Sequence, residues 1–196
     1  VLPVLLLIPV ADTSSAEQEL PGRAMPAPRT ADLPSDAVVL DGPQALPGLG
    51  GAAGLLERLR DALSRPGPAV VVSTSGSTGR PKATVLEAQS LRASGEATAV
   101  RTGGHGQWLL CLPAHYVAGV QVLARSVLAG TTPVVMTGEH FTPRAFADAA
   151  EGMDHPVRYV SVVPTQLQRI VADASAGARG EGAYAVGAAD VEFLRA

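Results

Sequence analysis

The sequence predicts an α/β fold, a layered arrangement of sheet and helices. Three observations carry that expectation. After residue 69, short β-rich apolar runs alternate with stretches of helical periodicity, the order that builds a sheet covered by helices. The chain has 196 residues, 46% of them hydrophobic, enough to bury a real core and the size of one domain or part of a larger one. One of the apolar runs, Ala69 to Val72, leads directly into a loop dense in Ser, Thr and Gly. In layered α/β folds such loops at the carboxyl ends of strands build the binding site.

Val1 to Val10 is apolar but interrupted by Pro3 and Pro9. A membrane-spanning helix needs about 20 apolar residues, so no stable span is expected. A basic segment and a small-residue cleavage site are not evident, and the stretch reads as a strand or buried edge segment, with a trimmed signal sequence as the alternative. The sequence does not begin with Met, which suggests that its true start lies upstream. Residues 11 to 52 are polar or broken by Pro and Gly and read as loops, apart from a short strand at Val38 to Leu40. Gly54 to Leu63 is an amphipathic helix, with Leu55, Leu56, Leu59 and Leu63 on one face. Residues 1–68 thus form a partly irregular N-terminal segment, and 69–196 the α/β core.

Within that core, Thr84 to Leu86 is a short return strand and Glu87 to Val100 a helix, weakened by Gly95. Gln107 to Leu112 is a strand, 113–116 a turn, and Val117 to Ala129 a helix closed by Gly130. Pro133 to Met136 is a strand. Thr142 is an N-cap with Pro143 at the first helical position, opening a helix to Ala150. Val157 to Val163 is a strand, and Pro164 opens a helix with Leu167, Ile170 and Val171 on one face. The Ala/Gly-rich run from Ala174 to Gly182 reads as a loop, and Asp190 to Arg195 as the start of another helix.

Composition excludes some functions. The net charge is −3, without the basic excess of a nucleic-acid surface, so no nucleic-acid partner is expected. Cys111 is the only cysteine, which rules out an internal disulfide and is compatible with a cytoplasmic location. Its mid-strand position suggests a buried, inert thiol. His105, His140 and His155 lack ligand-like spacing, and no metal-binding residue is assigned. The spacing says nothing against a homo-oligomer.

The chemistry concentrates at 69–82, Ala-Val-Val-Val-Ser-Thr-Ser-Gly-Ser-Thr-Gly-Arg-Pro-Lys. Glycine lets backbone N–H groups approach an anion closely, hydroxyls rotate to meet phosphate oxygens, and Lys82 adds a compact positive charge. The common nucleotide loop, G-x-x-x-x-G-K-[ST], is not present, because Arg80 and Pro81 separate Gly79 from Lys82. Taken alone, the stretch also fits a Ser/Gly-rich surface loop.

Thr74, Ser75, Gly76, Ser77, Thr78, Gly79, Pro81 and Lys82 resemble, position by position, the phosphate-loop signature of the AMP-forming acyl-adenylating ligases, with Ala83 departing from the usual glycine. Leu112 to Leu123 is similar to the acyl-site segment of the o-succinylbenzoate–CoA ligase branch of that superfamily, which acts in menaquinone biosynthesis, and Ser161 to Leu167 to the strand-to-helix segment that follows it there. The resemblance covers residues 69 to about 171.

It implies the N-terminal domain of such a ligase, incomplete, because the ribose motif and the small C-terminal domain with its lysine are not seen. It also implies activation of a small-molecule carboxylic acid by ATP and Mg²⁺, then transfer to coenzyme A. Thr74, Ser75, Gly76, Ser77, Thr78, Gly79 and Lys82 would bind the nucleotide phosphates, with Lys82 and Thr78 catalytic. His115 would line the acyl pocket, although a histidine hydrogen-bonded within its turn is the plainer reading of the residue itself. Arg125 could reach an acidic substrate tail or lie on a solvated helix face. Another aryl or fatty acyl-CoA ligase, or a non-catalytic nucleotide-binding fragment, fits the same residues.

Overall fold

The β-branched runs form two sheets rather than one. The computed structural model describes residues 4–7, 37–42, 45–75, 81–138 and 140–178. In chain order the elements are β1 (Val4–Leu7), β2 (Val38–Leu40), α1 (Ala45–Gly48), α2 (Gly51–Leu63), β3 (Pro68–Ser75), β4 (Pro81–Glu87), α3 (Ala88–Thr102), β5 (Gln107–Leu110), α4 (Val117–Ala129), β6 (Val134–Val135), α5 (Pro143–Glu151), β7 (Arg158–Val162) and α6 (Pro164–Ala178). The larger sheet is wholly parallel, in the order β1-β7-β5-β6. The smaller one is β2-β3-β4, with β2 parallel and β4 antiparallel to β3.

Alternation along β5 and β7 decides which helix covers which face. Trp108, Leu110 and Tyr159 point into one core with Val120 and Leu123 of α4 and Leu55 and Leu59 of α2. Leu109, Val160 and Val162 point into a second core with Phe146 of α5 and Leu167 and Ile170 of α6. Helices therefore cover both faces of the parallel sheet, as they must when neither face can meet water. The first core also takes Val70 and Val72 of β3, so α2 and α4 hold the two sheets together.

Local chemistry explains the helix ends. Gly130 sits at φ 65° beyond α4, the left-handed conformation that closes a helix and that glycine adopts without steric cost. Thr142 accepts a hydrogen bond from the Ala145 amide at 3.1 Å and caps α5, with Pro143 following it. Gly95 lets α3 and α4 touch: a Cβ there would lie 2.3 Å from Leu128 Cδ1.

Several boundaries move from their expected places. The run from Ala174 is not a loop; α6 continues to Ala178, because Ala174 extends the buried face of Ile170 and alanine is the strongest helix former. Helix α2 opens at Gly51, not Gly54. Strand β5 ends at Leu110, while Cys111 and Leu112 turn out of the ladder but stay buried. Strand β4 spans Pro81–Glu87, so residues 73–75 and 81–82 belong to hairpin strands rather than to a loop. Of the loops expected over 11–52, residues 45–48 form α1 instead; 11–36, 43–44 and the helix expected at 190–195 lie outside the described residues.

Candidate active site at the reversal of strand order

The parallel sheet reverses direction once. From β5 the chain runs through α4 to β6 on one side, then through α5 back across to β7 on the other. Connections leaving neighbouring strands in opposite directions open a crevice at their carboxyl ends, where ligands bind in open α/β sheets. Here that crevice lies between β5 and β7, and the segments at its mouth are 111–116 and 163–166.

The first of these segments is tightly built. The Tyr116 amide donates to Pro113 O at 3.1 Å, and the Val120 amide donates to Tyr116 O at 2.9 Å. Gly119, in the first turn of α4, packs directly on this turn, and a Cβ there would meet Pro113 O at 2.3 Å. The His115 ring lies 4.4 Å from the Tyr116 ring at an angle of 45°. Tyr116 is 51% exposed, whereas His115 is half-buried and its Nδ1 is buried without a hydrogen-bond partner among the described residues. Burial holds the His115 pKa below its usual value, so the ring is neutral at neutral pH. The turn therefore does not use His115 as an internal hydrogen-bonding post. It leaves a neutral ring nitrogen free to donate or accept, depending on tautomer.

The described residues of the phosphate-loop motif, Thr74, Ser75, Pro81 and Lys82, lie on the smaller sheet. Thr74 pairs with Lys82 and Ser75 with Pro81 across the β3–β4 hairpin, which brings both ends of the motif together. Gly76, Ser77, Thr78 and Gly79 at the tip lie outside the described residues, as do the side chains of Thr74, Ser75 and Lys82. One difference from the common nucleotide loop is clear. There the loop runs from strand to helix, and the helix N-terminus faces the phosphates. Here it joins two antiparallel strands, and α3 begins only at Ala88.

Arg125 is neither solvated nor beside the turn. It is 7% exposed, with its guanidinium carbon 5.0 Å from the centre of the Trp108 ring. With Thr98, Trp108 and Tyr159 it lines a cleft at the amino ends of β5 and β7, the opposite end from His115. Its Nε and Nη1 have no hydrogen-bond partner among the described residues, and burial lowers its pKa. His105 lies 3.5 Å from Glu96 on the surface, and His155 Nδ1 accepts from the Val157 amide at 3.0 Å. Cys111 is buried, donates from Sγ to Ser161 O at 3.2 Å, and has its pKa raised to about 12 by burial, as an inert thiol should.

Sequence reasoning assigned no role to Gln166. It is 9% exposed, and its side-chain amide joins the two segments at the mouth of the crevice. Nε2 donates to Cys111 O at 3.0 Å, and Oε1 accepts from the Val163 amide at 3.0 Å. A glutamine two residues after an opening proline was the available signal, since a Gln at the third helical position often caps its own helix.

The sequence pattern of the family described as "AMP-binding enzyme" matches residues 5–194. A Mycobacterium tuberculosis protein named "Probable 2-succinylbenzoate--CoA ligase" is 41% identical over 111 residues, 56% of this chain and 29% of that protein. The Escherichia coli 2-succinylbenzoate–CoA ligase is 35% identical over 104 residues, 52% of this chain and 21% of the relative. The chain thus spans less than a third of the length of these curated relatives. Among solved structures, the o-succinylbenzoate CoA synthetase of Bacillus subtilis in complex with its acyl-adenylate intermediate is 26% identical, over 55% of this chain and 28% of that one, with a TM-score of 0.48.

Proposed function

From the membership of this chain in the AMP-binding enzyme family, we propose that it is the nucleotide- and acid-binding part of an AMP-forming ligase that activates o-succinylbenzoate for menaquinone biosynthesis in the cytoplasm. The carboxylate attacks the α-phosphorus of ATP, forming an acyl-adenylate and releasing pyrophosphate. The coenzyme A thiolate then attacks the acyl carbon and AMP leaves. The first step brings an anion to a polyanion, so its catalysis rests on positioning and on neutralising phosphate charge.

In this reading Thr74, Ser75, Gly76, Ser77, Thr78, Gly79 and Lys82 hold the phosphates of the ATP–Mg²⁺ substrate, with Thr78 and Lys82 acting on the transferred charge. The hairpin pairing of Thr74 with Lys82 suits that task, because it holds the two ends of a short anion-binding tip in register. His115 borders the acid. The observation that carries the reading is the place of its ring on the turn at the mouth of the β5–β7 crevice, with Nδ1 unpartnered among the described residues. The names of the curated relatives support the choice of acid.

The test is acid-dependent ATP–pyrophosphate exchange by the purified protein, run with o-succinylbenzoate and with a panel of aryl and fatty acids. Exchange restricted to o-succinylbenzoate is expected. Lys82→Ala and Thr78→Val should each lower it on the order of 100-fold or more while leaving the unfolding midpoint near that of the wild type. Wild-type exchange in both variants would remove the phosphate-loop assignment. ATP binding with no exchange for any acid would favour a non-catalytic nucleotide-binding module.

A further inference from the structure

The two strands at the crevice part company early. Backbone pairing between β5 and β7 runs from Gln107–Arg158 to Leu109–Val160 and then stops. Beyond it the carbonyl of buried Cys111 and the amide of Val163 have no rung to share. Buried backbone groups left in that state cost free energy comparable to a lost hydrogen bond. A side-chain amide carries one donor face and one acceptor face, as a peptide group does, and Gln166 supplies both.

We propose that Gln166 is a positioning residue for the acid-binding turn: its amide replaces the missing rung between Cys111 and Val163 and fixes where the turn carrying His115 begins. This rests on the reading of that turn as the acid site. The bond from Val163 N to Gln166 Oε1 is a helix cap in its own right, half of a capping box at the start of α6. The bond from Nε2 to Cys111 O, 55 residues away, has no part in capping. It ties the end of β5 to the end of β7 across the crevice, one residue before the buried Leu112 and four before His115.

The two bonds can be separated. Gln166→Glu keeps an oxygen for the Val163 amide but has no N–H for Cys111 O, so it retains the cap and releases the turn. Gln166→Met removes both bonds. Gln107 provides a control in the same sheet. Its buried amide also joins loops, accepting from Asp154 N at 3.0 Å and donating to Thr132 O at 3.2 Å, but at the amino end of β5, away from the crevice.

The experiment measures the KM for o-succinylbenzoate and for ATP in pyrophosphate exchange, the unfolding midpoint, and the His115 ring resonances by NMR, on the full protein. In Gln166→Glu the acid KM should rise about tenfold, the cost of one lost hydrogen bond that held a binding group in place. The ATP KM should change little, the unfolding midpoint should fall because the buried Cys111 carbonyl loses its donor, and the His115 resonances should move. Gln107→Met should lower the midpoint and leave the acid KM and the His115 resonances as they are.

Unchanged acid KM and unchanged His115 resonances in Gln166→Glu and Gln166→Met would overturn the proposal, as would an equal effect of Gln107→Met on both. Moved His115 resonances in a protein whose wild type shows no acid-dependent exchange would keep the bridge and remove the acid-site reading.

Discussion

Gly119 and His115 show how a single side chain, or the lack of one, shapes the crevice. The turn from Pro113 to Tyr116 lies against the first turn of α4 with no space for a methyl group at residue 119. Gly119→Ala would gain helix propensity yet drive a Cβ into backbone rather than into a movable side chain, and backbone yields less. A net loss of about 1–3 kcal/mol in urea unfolding is expected, together with weaker acid binding, because the strain is relieved by moving the turn. A neutral result would mean that the turn is free to shift.

At this scale the turn that carries His115 was legible from its place after a strand. Gln166 was not, because its second partner is 55 residues away and the pairing exists only once β5 and β7 are neighbours. Arg125 misled for a related reason. A charged residue on a helix usually faces water, but here it is buried over Trp108.

Helix α4 explains that error at the scale of the element. Its sequence is apolar nearly all round, and such a helix is buried on all sides. It packs against β5, α2 and α3 together, so Arg125 and Ser126 have no solvent face to choose. The periodicity of α2 and the Thr-Pro opening of α5 were read correctly, since both depend on residues within a turn or two of each other.

The prediction for α5 follows from its cap. Thr142→Ala removes the acceptor for the Ala145 amide and should cost about 1 kcal/mol, while Thr142→Ser should be close to neutral. Urea unfolding of the two variants checks this, and equal stability would mean that the cap contributes nothing. The β3–β4 hairpin is the other lesson at this scale. Glycine and hydroxyl density suggested a loop of ten residues, whereas residues 73–75 and 81–82 of it are paired strand residues.

The α/β class was legible in the whole molecule, but the division into two sheets was not. Local patterns do not say which strands become neighbours, and β1 and β7 come from opposite ends of the described chain. The completed sheet shelters the single thiol. With Cys111 buried and its pKa raised to about 12, almost none of it is thiolate at pH 8. Its reaction with a disulfide reagent at that pH should run at least about 1000-fold slower in the native protein than in urea, because it waits for the β5–β7 end to open. A native rate within about tenfold of the unfolded rate would show that this end of the sheet is open in solution.

The sheet order also sets a schedule. Val4 of β1 lies opposite Tyr159 of β7, so among the described strands the first to leave the ribosome pairs with the last one made. At synthesis rates of about 5–20 residues per second, roughly 8–30 s separate the two events. During that interval β1, an apolar strand of sequence VLLL, has its partner still unmade. Until β7 emerges, β1 is an unpaired aliphatic segment, the kind of surface that aggregates or that a holdase binds.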